Sequence, residues 1–197
     1  RVYIKNGRKM KKVVGIDISS GARSSVGFAV VDMTSLQILH VTDFKPATTP
    51  DLRKRIKQIA AFLATEFKKL EAVNEEYIII IESTVMQGIG GQSLQRAIGA
   101  AMTVSPSARR LEFVYPMSVK KHVTGVGKGS DKKAIAEGLK KWFPNNELIF
   151  QLTASSRWDI LDAVGIALTG WELHVQRSKI IPNAKSRKAK QKVSNKS

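Results

Sequence analysis

The segment from Val13 to Asp32 constrains the fold more than any other stretch of the chain. It reads VVGIDISSGARSSVGFAVVD: an apolar, β-branched run, a turn rich in Ser and Gly, and a second apolar run. This pattern predicts a β-hairpin. Asp17 lies inside the first strand, where a buried charge is costly unless a partner neutralises it. We therefore expect Asp17 either to bind a metal ion or to cap the turn at the end of its strand.

Composition restricts the class of protein. The chain has 197 residues, of which 43% are hydrophobic, enough for one domain with a core of its own. It contains no Cys, which excludes disulfides and thiolate metal sites and favours a reducing compartment. No apolar run approaches the roughly 20 residues of a membrane span, and the N-terminus has no apolar signal core. We therefore expect an intracellular protein that is neither secreted nor bound to a membrane.

The formal net charge of +17 is concentrated at the two ends of the chain. Residues 1–12 contain six Lys or Arg, residues 177–197 contain eight, and neither segment contains an acid. We expect a basic N-terminal arm at 1–12, a folded domain at 13–176, and a basic, disordered C-terminal tail at 177–197. Such arms suit a nucleic-acid backbone, because each neutralised phosphate releases a counterion. A merely solubilising role is the alternative.

Hydrophobic periodicity divides the rest of the chain into strands and helices. The sequence YIIIIE is apolar without interruption and predicts a central strand that is covered on both faces. The three glycines of residues 83–92 predict a loop. Beyond the hairpin, strands are predicted at 36–44, 77–82 and 112–115, and helices at 51–72, 93–105, 117–123, 131–143 and 155–175.

Three further acids stand at positions that suit a site. Glu82 ends the predicted central strand, where an α/β sheet normally opens onto its ligand. Asp159 and Asp162 are three residues apart on the last predicted helix, so both carboxylates project from one side. The pair is unfavourable unless a cation offsets the repulsion. The helix dipole offers a different explanation, because it stabilises acids in a first turn.

Lysines surround the glycine turn of residues 125–129, and the turn and lysines together predict a patch that contacts phosphates. A mobile surface loop is the alternative. His122 is expected to be an exposed helix residue. The lysines of this patch are Lys120, Lys121, Lys128, Lys132 and Lys133.

Four sequence blocks together resemble the RuvC family of Holliday-junction resolvases, which has a ribonuclease H-like fold. In chain order the blocks are GIDISS, IIIIEST, VYPMSVKKHVTGVGKGSDKKAI and DILDAVGIALTGW. The resemblance implies an α/β fold: a mixed five-stranded sheet, with three antiparallel strands and then two parallel ones, flanked by helices. It also implies a homodimer that binds four-way junction DNA in recombination and repair. Such an enzyme nicks two strands symmetrically with two Mg²⁺ or Mn²⁺ ions per active site.

The resemblance also implies roles for single residues. Lys120 would be a catalytic lysine near the scissile phosphate, and Lys132 would match a second lysine, although the glycine turn is one residue longer than is usual. Where the family often carries an aromatic wedge, this chain has Val85 and Met86. Two alternatives stay open: a less selective nuclease that cuts branched DNA or RNA/DNA hybrids, and a non-catalytic nucleic-acid-binding protein with structural acids. The implied catalytic metal ligands are Asp17, Glu82, Asp159 and Asp162.

Overall fold

The computed structural model describes most of the chain between residues 12 and 180. Most of the predicted arm at 1–12 and of the predicted tail at 177–197 lies outside the described residues. Inside the arm, Ile4–Lys5 pairs with Arg8–Lys9 as a short antiparallel ladder. The described residues are 4–5, 8–9, 12–19, 25–73, 76–83, 88–107, 109–127 and 131–180.

Five strands form one mixed sheet with the order β3-β2-β1-β4-β5. The pairs β1·β2 and β2·β3 are antiparallel, whereas β1·β4 and β4·β5 are parallel. This topology confirms the predicted α/β sheet of three antiparallel strands followed by two parallel ones. The strands are β1 (Lys12–Ile18), β2 (Val26–Asp32), β3 (Gln37–Phe44), β4 (Tyr77–Glu82) and β5 (Arg110–Val114).

Six helices flank the sheet in the described part of the chain. The first helix, α1, is capped by the side chain of Asp51, which accepts hydrogen bonds from the N–H groups of Arg53 and Lys54. The helices are α1 (Leu52–Ala72), α2 (Gly88–Val104), α3 (Pro116–Thr124), α4 (Lys132–Trp142), α5 (Glu147–Ala154) and α6 (Trp158–Ile180).

The structure differs from the predicted elements, for example at α2, β5 and α5. Helix α2 begins at Gly88, inside the predicted loop at 83–92, because packing in a folded domain can override the low helix propensity of glycine. Strand β5 spans Arg110–Val114 rather than 112–115. The prediction missed α5, which is capped by the Asn146 side chain and buries Ile149 and Leu152.

The sheet separates two apolar cores. In β4, Ile78 and Ile80 pack with α3–α6, while Ile79 and Ile81 pack with α1 and α2. We call these two sides the α6 face and the α1 face of the sheet. Burial on both faces explains the unbroken apolar sequence of β4 and confirms that it is a central strand. No helix among the described residues has the length and apolar character needed to cross a bilayer.

The backbone of helix α6 lies in direct contact with the backbone of β1 at Gly15. A Cβ added at Gly15 would lie 2.0 Å from the carbonyl oxygen of Ala163 and 2.7 Å from the amide nitrogen of Ala167. Both alanines are fully buried. The missing side chain at Gly15 and the small ones at 163 and 167 let the helix lie directly on the strand, so the fold fixes the position of α6 closely.

Candidate active site

Asp17 and Glu82 lie side by side on the α6 face. In the parallel pairing of β1 with β4, Ile16 is the register partner of Ile81, and each is followed directly by one of the acids. Ile16 and Ile81 pack on the α1 face. Because side chains alternate along a strand, the two carboxylates point to the α6 face, on strands about 4.8 Å apart.

Helix α6 brings the aspartate pair to the same place. On its other side Asp17 is paired with Gly27 of β2, where an added Cβ would lie 1.9 Å from the carbonyl oxygen of Asp159. The first turn of α6 therefore rests on β2 next to Asp17. Asp162 follows three residues later on the same side of the helix. The structure thus gathers the four predicted acids from two strands and one helix.

Polar contacts hold the start of α6 in place. The hydroxyl of Ser25 donates a hydrogen bond to Oδ2 of Asp159. Arg157 forms a two-pronged ion pair with Asp43 at the end of β3, in which Nε lies 3.1 Å from Oδ2. Such forked pairs fix geometry as well as charge. The sequence analysis missed these contacts, since their partners are 114 or more residues apart and no local pattern links them.

The four acids interact electrostatically. Burial raises the pKa of Asp17 well above its ordinary value, and the charges of Asp162, Glu82 and Asp159 raise it further. Burial and then Asp162 raise the pKa of Glu82 to about 7. Burial is also the main cause that raises the pKa of Asp162 to about 6. Burial, and to a smaller extent mutual repulsion, therefore disfavours the charged forms of these acids in the folded chain.

The positive charges of two predicted lysines act on the acids. The positive charge of Lys120, on α3, opposes the rise in the pKa of Glu82 and of Asp162. Lys132, at the start of α4, has the same effect on Asp17 and Asp162. Of the other predicted DNA-contacting residues, Lys121 and Lys133 are exposed, and Lys128, Val85 and Met86 lie outside the described residues.

The expectation for His122 is wrong. Its ring is half-buried and stacks on Trp142 with 5.2 Å between the ring centroids. Burial lowers the pKa of His122, and the charge of Glu172 opposes that effect. The aromatic partner lies on the next helix, α4, so the periodicity of α3 alone did not reveal it. His122 therefore packs between helices.

The donor chemistry of the cluster fits a hard divalent cation. In the part of the chain that the structure describes, no three His, Asp or Glu side chains are already close enough together to hold an ion. The four carboxylates nevertheless supply the oxygen donors that Mg²⁺ and Mn²⁺ prefer. A cation would also offset the cost of burying charged carboxylates and the repulsion between them, which together raise three of their pKa values. The ligands would have to converge further when the ion binds.

The cluster predicts an unusual pH dependence of stability in the metal-free protein. The pKa values of Glu82 and Asp162 lie above their unfolded values, so the folded state binds protons first as the pH falls. We expect the free energy of unfolding to rise by on the order of 2 kcal/mol between pH 8 and pH 5. Urea unfolding in the presence of a chelator at several pH values measures this change.

Two variants isolate that effect. Asp162→Asn should flatten the rise, because it removes one titrating group and lowers the pKa of Glu82 and Asp17. Glu137→Gln removes an exposed carboxylate that forms an ion pair with Lys140, and it should keep the full rise. An unchanged pH profile in Asp162→Asn would show that the acids do not titrate as one cluster.

Solved structures with this fold include RuvC from Thermus thermophilus. The chain matches that RuvC in complex with a Holliday junction substrate at 19% sequence identity and a TM-score of 0.56, covering 81% of this chain and 91% of that one. A second T. thermophilus RuvC structure matches at 22% identity and a TM-score of 0.54, covering 80% and 92%. No protein-family model and no curated protein matches the chain. The chain has the ribonuclease H-like fold seen in RuvC.

Proposed function

We propose that the chain is a metal-dependent endodeoxyribonuclease that resolves four-way (Holliday) DNA junctions by paired strand nicking. The observation that carries the proposal is the cluster of four interacting carboxylates at the ends of β1 and β4 and the start of α6. Divalent cations would offset the repulsion among these carboxylates, and the two lysines whose charges act on them can bind a phosphate. The likeness to a RuvC solved with a Holliday junction agrees with this substrate.

The carboxylates would hold two Mg²⁺ or Mn²⁺ ions, with Asp17 at the centre of the cluster. Bound divalent ions activate water and stabilise the leaving oxygen in phosphodiester hydrolysis. Ser25 orients Asp159, and Gly27 lets the backbone of α6 approach β2, so both fix ligand geometry. Lys120 would neutralise charge that develops on the phosphate in the transition state.

The remaining predicted DNA contacts belong to the same proposal. Exposed Lys121 and Lys133 lie on the helices that carry Lys120 and Lys132, so they can extend the contact along the phosphate backbone. Lys128, Val85 and Met86 stay predicted DNA contacts. We expect such an enzyme to work inside the cell, where its DNA substrate is.

Paired nicking needs two active sites, and we propose that a homodimer supplies them. Helix α2 and β5 carry the exposed apolar side chains Met102 and Phe113. Both line a cavity of about 250 Å³ together with Ile98 and Gly99. Exposed apolar area of this kind suits a contact between two copies. Sedimentation velocity of the free protein, and of its complex with a junction, measures the number of copies.

A cleavage assay tests the proposed function. A four-way DNA junction, a linear duplex with the same arm sequence and an RNA/DNA hybrid are each incubated with Mg²⁺, with Mn²⁺ and with a chelator. We expect symmetric nicks on the junction alone, and only with a divalent ion. Cutting of the duplex or the hybrid would indicate a less selective nuclease. Binding without cutting under every condition would indicate a non-catalytic nucleic-acid-binding protein whose acids are structural.

A further inference from the structure

Three large apolar side chains are exposed along the segment that runs from the end of β5 through α3 to the turn after it. Tyr115, Met117 and Val126 expose 59%, 52% and 58% of their surface. We call these three residues the rim patch. Single exposed apolar residues are ordinary, but several together mark a surface that binds something.

The rim patch begins beside Glu82. In the parallel pairing of β4 with β5, Glu82 is the register partner of Val114, and the N–H of Ser83 donates to the carbonyl oxygen of Val114 at 2.7 Å. Tyr115 is the next residue along the chain. The helix that starts there, α3, carries Lys120, whose charge acts on Glu82. The backbone of Tyr115 therefore lies beside the acid cluster on its β5 side.

Tyr115 stands at a position where its side chain adds nothing to the helix. It is the N-cap of α3, but its side chain makes no capping hydrogen bond. Ser, Thr, Asp or Asn at an N-cap typically contributes about 1 kcal/mol. Pro116 follows directly and restricts Tyr115 to extended backbone angles, which the structure shows (φ −87°, ψ 145°). The chain therefore places an exposed aromatic residue with a restricted backbone at the edge of the site, in place of a stabilising cap.

The other two members of the patch are also held in place. A Cβ added at Gly127, the residue after Val126, would lie 3.5 Å from the methyl carbon of Met117. The hydroxyl of Thr124 donates to the carbonyl oxygen of Lys120 at 2.7 Å and accepts from the N–H of Val126 at 3.1 Å. These bonds fix the turn after α3, so Met117 and Val126 form one preorganised surface with it.

The charges around the patch favour nucleic acid over a second copy of the chain. Exposed Lys121 lies against the same turn, with its Cβ 3.6 Å from the Cβ position of Gly127. In a symmetric dimer through this patch, the lysines of each copy would face those of the other. DNA offers the complementary pair of features: phosphates for the lysines, and flat bases that stack on aromatic rings.

We propose that Tyr115 stacks on an unpaired base of the bound DNA strand next to the position of the cut. The inference deepens the proposed function, on which it rests for the position of the cut. It assigns a substrate feature to the site: a strand that has at least one base free of pairing, as at a branch point. The flat ring would hold that strand while its neighbouring phosphate lies over the acids.

Binding measured without cutting tests the proposal. The wild type and Tyr115→Ala are titrated, in a chelating buffer, against a fully paired DNA duplex and against the same duplex with a short unpaired segment, with fluorescence anisotropy as the readout. We expect the wild type to prefer the DNA with unpaired bases. Tyr115→Ala should bind that DNA about tenfold more weakly, because stacking contributes roughly 1–3 kcal/mol per base, and should bind the duplex within about twofold of the wild type. Tyr115→Phe should keep the preference.

Phe150→Ala is the matched control. Phe150 is an exposed aromatic residue next to a lysine, Lys140, but it lies on α5, which packs on α4 and α6. Its loss should change neither affinity. The proposal would be overturned if Tyr115→Ala lost affinity equally for both DNAs or lost affinity for neither. It would also be overturned if the substitution changed only the sedimentation of the protein. The binding assay contains no metal and does not depend on cutting. If Tyr115→Ala weakened binding only to the DNA with unpaired bases, and the wild type cut no DNA in the cleavage assay, stacking would be upheld and only the proposed nuclease activity would be refuted.

Discussion

Replacing Asp17 with Asn is expected to reduce metal-dependent strand cutting at least about a thousandfold while leaving DNA binding within a few-fold of the wild type. Asp17 has the acids of β4 and α6 on either side and interacts with all three. Even residues that only orient metal ligands change activity by about 10–100-fold, so the loss of a central ligand should exceed that range. Single-turnover cleavage of a four-way junction and anisotropy titration measure the two quantities.

The same substitution should stabilise the protein in the absence of metal. Asn has nearly the shape of Asp but carries no charge, so it removes both the cost of burying a carboxylate and the repulsion by the other acids, which raise the pKa of Asp17. We expect Asp17→Asn to unfold at higher urea concentration than the wild type at pH 8 in a chelating buffer. Glu137→Gln, on the exposed side of α4, should change neither cutting nor stability. Undiminished cutting by Asp17→Asn would show that the acids do not perform the reaction.

Gly27→Ala is expected to have the second large effect, through the position of α6. An alanine Cβ at this position would lie 1.9 Å from the carbonyl oxygen of Asp159, so the strand or the helix must move by more than 1 Å. We expect a loss of roughly 3 kcal/mol in the free energy of unfolding. Cutting should fall about a hundredfold, since a displacement of about 1 Å at a site has that consequence. Urea unfolding and single-turnover rates measure both.

Gly99→Ala is the matched control for that experiment. An added Cβ at Gly99 meets no atom within 4 Å, and the residue lies inside α2. There alanine is the better helix former by about 1 kcal/mol, so this variant should be slightly more stable. Gly99 also lines the cavity of the proposed dimer surface, so the variant is a control for stability and not for cutting. Native stability and rate in Gly27→Ala would show that the backbone contact between β2 and α6 has no bearing on the site.

Local sequence pattern was enough to predict the strands and the positions of the acids. The apolar runs of β1 and β4 indicated that Asp17 and Glu82 lie in the sheet, and a spacing of three placed Asp159 and Asp162 on one side of a helix. The close approach at Gly27 also left a signal, because a lone glycine in a strand often marks a place where another backbone comes near. The sequence analysis did not use that signal.

The contacts that orient the acids could not be predicted in this way. Ser25 with Asp159 and Asp43 with Arg157 are pairs of ordinary polar residues at opposite ends of the chain. Nothing within a few residues of either partner indicates the other. The burial of His122 against Trp142 depends in the same way on how α3 packs on α4. Tertiary packing, rather than any local preference, decides such contacts.

The dependence of the acid cluster on α6 has a consequence for protein synthesis. Once Glu82 has been synthesised, the growing chain contains two of the four carboxylates, but the other two belong to the last helix of the described fold. Until α6 is complete and lies on β1 and β2, the growing chain has only half of the cluster. We therefore expect a chain that lacks α6 to cut no DNA. Proteolysis within α6 should likewise abolish the proposed cutting by the full-length chain.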